Sequence, residues 1–88
     1  MDVSNRPIVE RIARVLAGQR ISANAEGSEE SAGAHVDSVW QDYRADALAV
    51  LRTLREPDQT MAAAGDVAVW ERMVRAAIED AKPDTVVL

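Results

Sequence analysis

The feature that most constrains this chain is the apolar spacing between Val36 and Arg55. Trp40, Tyr43, Ala47, Val50, Leu51 and Leu54 recur at intervals of three and four and form one broad stripe. The spacing predicts one long helix over Val36–Arg55. The Glu56-Pro57 step closes it, because a residue before proline is pushed out of the helical region. A stripe this wide has to be covered, so the rest of the chain is read for what covers it.

Upstream, Ile8, Ile12, Val15 and Leu16 follow an i, i+4, i+7, i+8 pattern with Val9 at the edge. This predicts a first helix over Ser4–Gly18. Ser4 or Asn5 caps it, Pro7 sits in its first turn, and Gly18 supplies a left-handed stop. Glu10 and Arg14 pair at i, i+4 on its outer side. Downstream, Pro57 opens a short helix through Met61 to Ala64 that stops at Gly65. Asp66 caps a last helix from Val67 to about Ala81, with Val67, Trp70, Met73, Val74, Ala77 and Ile78 on its buried face. Pro83 ends it, and a frayed tail is expected at 83–88.

Between the first two helices, Ser22–Ala34 holds no large apolar residue. A flexible acidic loop is expected at about 22–35, since such a segment buries too little surface to offset its ordering entropy. Glu26, Glu29, Glu30 and Asp37 place much of the net charge of −5 there. The expectation is therefore one domain over 1–88. It is an all-α small helical bundle of three main helices and one short connecting helix, packed around Trp40, Tyr43, Leu51, Leu54, Trp70 and Val74.

That core is thin. Of the 42 apolar residues 16 are alanine, phenylalanine is absent, and Leu, Ile and Val supply 20 positions. Self-association or a partner would help a chain of 88 residues with so little to bury. The absence of cysteine removes disulfides, thiolate metal sites and thiol nucleophiles. It suits a reducing compartment. With no export signal and no apolar stretch near 20 residues, a cytoplasmic protein is expected.

Residues able to do chemistry are few. His35 is the single histidine and has no serine, cysteine or second histidine at a recognisable spacing. Asp42 and Asp46 share a helix face, but two carboxylates without further oxygen ligands make a poor cation site. The glycines follow no strand, so no phosphate-cradling loop is present. No catalytic, cofactor-binding or metal residue is assigned, and no enzyme is expected.

Two binding patterns are weighed. Thr60–Ala77 has the outline of a helix-turn-helix, whose reading positions would be Ala68, Val69, Glu71 and Arg72. Two are apolar and one acidic, and the chain has a single lysine, so nucleic acid is not the expected partner. Asp37-Ser38-Val39 at the start of a long helix resembles the acyl carrier protein motif, in which the serine carries a phosphopantetheine arm. Here Trp40 and Tyr43 follow directly, no glycine stands two residues before Asp37, and Ser38 lies opposite the apolar stripe.

A wider resemblance runs through Ile8–Gly18, Trp40–Pro57, Met61–Gly65 and Val69–Ile78. Leu54-Arg55-Glu56-Pro57, then Met61 with Ala64-Gly65, then Trp70-x-x-Met73, resemble a pattern in short uncharacterised helical proteins of alphaproteobacterial genomes, some in prophage-like settings. The resemblance implies a helical fold and a bacterial source; it implies no catalytic or binding residue. Locally, Leu54–Pro57 reads as a corner: Arg55 complements the negative end of one helix and Glu56 the positive end of the next. The leading expectation is a small accessory or adaptor protein acting through a protein partner or as a homodimer. A helix-turn-helix transcription modulator and an acyl-carrier-like protein are the alternatives.

Overall fold

The computed structural model describes residues 3–25 and 32–81. They form α1 (Ile8–Ala25), α2 (Ala32–Val39), a 3-10 turn (Trp40–Tyr43), α3 (Arg44–Leu54), α4 (Gln59–Ala64) and α5 (Val67–Ala81), with no strand among them. The protein is all-α.

α1 starts directly after Pro7, whose carbonyl accepts the Arg11 N–H at 3.2 Å. Ser4 forms a turn one step earlier, its Oγ accepting the Arg6 N–H at 3.1 Å. The helix does not stop at Gly18, as the sequence predicts, but continues to Ala25. Burial explains this: Ala17 and Ile21, one turn apart across Gly18, are both in the interior. Gly18 lies against α2, where an added Cβ would stand 3.8 Å from Val36 Cγ2. The loop expected at about 22–35 is therefore helical at both of its ends, over 22–25 and 32–35, and its middle lies outside the described residues. Glu26, Glu29 and Glu30 lie outside the described residues, as does the tail at 83–88.

The single long helix is two helices joined by a 3-10 turn. At the junctions Val39 has φ −122° and ψ −6°, and Tyr43 φ −103° and ψ 8°. In a 3-10 helix residues i and i+3 eclipse, which sets Trp40 and Tyr43 on one side. Both are half-buried against the core, and this turn packs on α1.

Two aspartates start the last two helices. Asp58 accepts the Met61 N–H at 2.9 Å and Asp66 the Val69 N–H at 3.2 Å, each a side-chain N-cap. Asp66 and the span Val67–Ala81 agree with the sequence reading. For α4 the cap is Asp58, with Pro57 just outside the helix and Glu56 further still. Gly65 ends α4 in an extended conformation that any residue adopts.

The interior differs from the expected one. The core cluster is Val9, Ala13, Ala47, Leu51, Val74, Ile78 and Ala81. On α1 the buried ladder is Val9, Ala13, Ala17 and Ile21, rotated by roughly one residue step, about 100°, from the predicted Ile8, Ile12, Val15 and Leu16 stripe. Ala13 of α1 and Ala47 of α3 are both 0 % exposed and belong to the same cluster, and the two helices pack on one another. Among the described residues Leu51 is the one large side chain that is fully buried. Of the six predicted core residues, Leu51 and Val74 are buried; Trp40, Tyr43 and Trp70 are half-buried at the margin, and Leu54 is exposed.

Candidate interaction surface

α3 and α5 are held antiparallel by a hydrogen bond at each end. Trp70, near the start of α5, donates its indole Nε1–H to the carbonyl of Leu54, the last residue of α3, at 2.6 Å. Arg44, the first residue of α3, donates Nη2–H to the carbonyl of Ala81, the last of α5, at 2.9 Å. The final carbonyls of a helix lack intrahelical partners and carry its negative pole. Each bond therefore satisfies an orphan acceptor while joining two elements. Arg55 adds an ion pair to Glu71 at 3.4 Å, and Glu71 also pairs with Arg75.

These contacts give the Leu54–Pro57 corner its physical content. Its leucine carbonyl receives Trp70, its arginine meets Glu71, and Pro57 directs the chain into α4. Periodicity predicts Trp70 at the centre of the core beside Tyr43 to Leu51; it sits instead at the far end of α3, because its N–H reaches the exposed carbonyl there.

A second polar group fastens α1 to α2. Arg14 donates Nε–H to Glu10 at 2.8 Å and Nη1–H to Asp37 at 2.5 Å, and its guanidinium lies 5.3 Å from the centre of the Trp40 ring. The bond to Asp37, then that to Glu10, raises the Arg14 pKa above its ordinary value. The Glu10–Arg14 pair is the one predicted from spacing; Asp37 and Trp40 are tertiary partners that spacing alone does not reveal.

α4 is exposed along its whole length and stands away from the packing among α1, α2, α3 and α5. Beside it opens a continuous apolar trench. Its middle, about 470 Å³, is bounded by Ile8, Ile12, Val50, Leu51, Leu54, Trp70, Met73, Val74 and Ala77, without a charged residue. Toward α1 it passes through Ile8, Ile12 and Val50 into a recess of about 290 Å³ that adds Val15, Leu16 and Arg11. Toward α4 it passes through Trp70 and Met73 into one of about 400 Å³ that adds Pro57, Met61, Ala64, Gly65, Asp66, Val67 and Val69.

Among the described residues eight large apolar side chains are exposed, and seven line this trench, Val3 being the exception. Met73 is 63 % exposed and Val15 61 %. Five residues predicted to be buried, Val15, Val50, Leu54, Val67 and Met73, are thus at the surface. They belong to the apolar stripes that periodicity finds, but to the flank of each stripe that no neighbouring helix covers.

The residues weighed for chemistry lie elsewhere. His35 is exposed within α2, and its carbonyl accepts the Ser38 Oγ–H at 2.8 Å. Ser38 stands near the end of α2, not in the first turn of a helix, and is exposed. Asp42 and Asp46 are exposed, and no group of three or more His, Cys, Asp or Glu among the described residues is arranged to hold a metal. In the α4–α5 pair, Ala68, Val69 and Arg72 are exposed, while Glu71 is half-buried between two arginines. No described helix is long and apolar enough to cross a membrane. Compared with protein-family models, curated proteins and solved structures, the chain matches none.

Proposed function

We propose that this chain is a small non-catalytic accessory protein that acts by binding protein through the trench formed by α1, α3, α4 and α5. One observation carries the reading: seven of the eight exposed large apolar side chains gather in one continuous face. Scattered apolar residues are ordinary on a protein surface, whereas a contiguous patch marks an interaction site. A charge-free centre with single charges toward the ends matches the pattern of interfaces, whose cores are depleted of charge. The cysteine-free composition supports a cytoplasmic setting.

The test is site-directed photocross-linking in cells that make the protein. A photoreactive residue at Met73, inside the trench, is compared with one at Ala49, exposed on α3 and outside the trench. The expected result is a discrete protein adduct from position 73, absent from position 49 and abolished by Val50→Glu. Equal labelling from both positions overturns the reading. So does tight, salt-sensitive binding of duplex DNA in an anisotropy titration, which would favour the helix-turn-helix alternative.

A further inference from the structure

We propose that the occupant of the trench is a second copy of this chain, set antiparallel about a two-fold axis near Val50 and Met73. This rests on the protein-binding reading above and names the partner. Two properties of the trench support it.

The first is its charge. Arg11 lies at the α1 end, Asp66 at the α4 end, and the stretch between carries none. A two-fold interface is isologous, so whatever lies at one end must complement the other end of the same surface. Antiparallel apposition brings each Arg11 to Asp66 of the partner subunit, whereas parallel apposition would set like charges together. Arg11 takes part in none of the ion pairs among the described residues.

The second is its shape. With half-buried Ile8, Ile12, Trp70 and Ala77 between the exposed side chains, the face runs unbroken from α1 to α4 through three adjoining recesses. The trench is hollow, and a hollow face pairs with itself only if something projects from it. α4 supplies the projection: exposed along its whole length and standing off the bundle, it carries Met61 at one end of the trench. Across the two-fold axis it covers the Ile8, Ile12 and Val15 stripe of the other copy. The large aliphatics of α1 that the single chain leaves outside its core are then buried in the pair.

Sedimentation equilibrium on the full chain, with helicity followed by circular dichroism, decides it. The wild type is expected to sediment at twice its 9.6 kDa chain mass at tens of micromolar. Met73→Glu and Val15→Glu are each expected to weaken association by about 100-fold or more with helicity retained, as for a charge placed without a partner in an interface core. Should Met73→Glu lose helicity, Val15→Glu on a different helix decides. Arg11→Gln, or Asp66→Asn, which keeps the α5 cap, is expected to weaken it by about 3- to 10-fold. Orientation is read by cross-linking, for which the cysteine-free chain is a clean background. Mixed Val15→Cys and Met61→Cys proteins should couple with each other and not with themselves.

A wild type that stays monomeric at all concentrations overturns the second copy. So does a dimer indifferent to both glutamate substitutions, and self-coupling of the Val15→Cys protein overturns the antiparallel arrangement. A monomer that still yields the Met73 cross-link to another protein sinks this inference alone. A monomer without that cross-link sinks the protein-binding reading as well.

Discussion

The seam between α1 and α3 and the trench beside α4 are built from opposite materials. At the seam Ala13 and Ala47 are 0 % exposed and face a closed interior; along the trench Val50, Leu54, Met61 and Met73 are exposed. Larger side chains hold more transfer free energy, so a chain optimised only for its own stability would place them inside. Here two fully buried alanines sit in the cluster beside Val9, Leu51, Val74 and Ile78, while seven large apolar side chains are left on one face. The proposed partner would bury that face, which makes the trench and not the core the functional candidate.

The comparison breaks first at Leu51. Truncating this fully buried side chain, Leu51→Ala, is expected to cost about 2–5 kcal/mol, a large share of what holds a domain of this size. Met73→Ala removes a comparable volume from the trench and, in dilute solution, should move the melt by no more than about 0.5 kcal/mol. Thermal unfolding of both variants is sufficient. Equal losses would mean that the trench is part of the single chain's core.

The fold class and the last helix were legible in the sequence, because α5 has a clear apolar stripe between an aspartate cap and a proline. Which flank of each stripe would be covered was not. Ile8, Ile12, Val15 and Leu16 look like a buried face by spacing and size, yet Val9, Ala13, Ala17 and Ile21 occupy the core. Periodicity reports that a helix has an apolar side about 100° wide or more; it does not report where the neighbouring helix lies within that side. Alanine signals close approach only once two helices are known to touch. The interruption at Trp40–Tyr43 was hidden for a similar reason, since aromatics three apart suit an α-helix and a 3-10 turn alike. The trench was legible only in part: Val15, Val50, Leu54, Val67 and Met73 were found, but as buried faces, while Val69 was read as an exposed position and Met61 only as part of the short helix.

The Leu54–Pro57 corner lies between the two regions and sharpens the contrast. Trp70 contributes an apolar ring to the trench and a hydrogen bond to the fold. Trp70→Phe retains most of the ring but leaves the Leu54 carbonyl without its donor, and is expected to cost about 1 kcal/mol in the melt. Amide exchange should rise in the last turn of α3 and the first turn of α5, the elements the bond joins. Unchanged exchange there would show that packing and not the bond fixes the corner.

The smallest effect is expected on the side away from the trench, where Arg14 ties α1 to α2 through Asp37 and Glu10. Arg14→Gln should loosen α2, seen as faster amide exchange from Ala32 to Val39, while the α3–α5 pair keeps its protection. The sign of its pH dependence follows from the raised Arg14 pKa. A base whose folded pKa lies above its unfolded value contributes fully below the unfolded pKa, and the contribution is lost only as pH rises through the folded one. For a guanidinium both lie above the working range, so the stability difference between wild type and Arg14→Gln should be the same at about pH 7 and about pH 10. Paired melts at the two pH values check this, and a difference that shrinks toward pH 10 would assign the tie to some other group than the Arg14 cation.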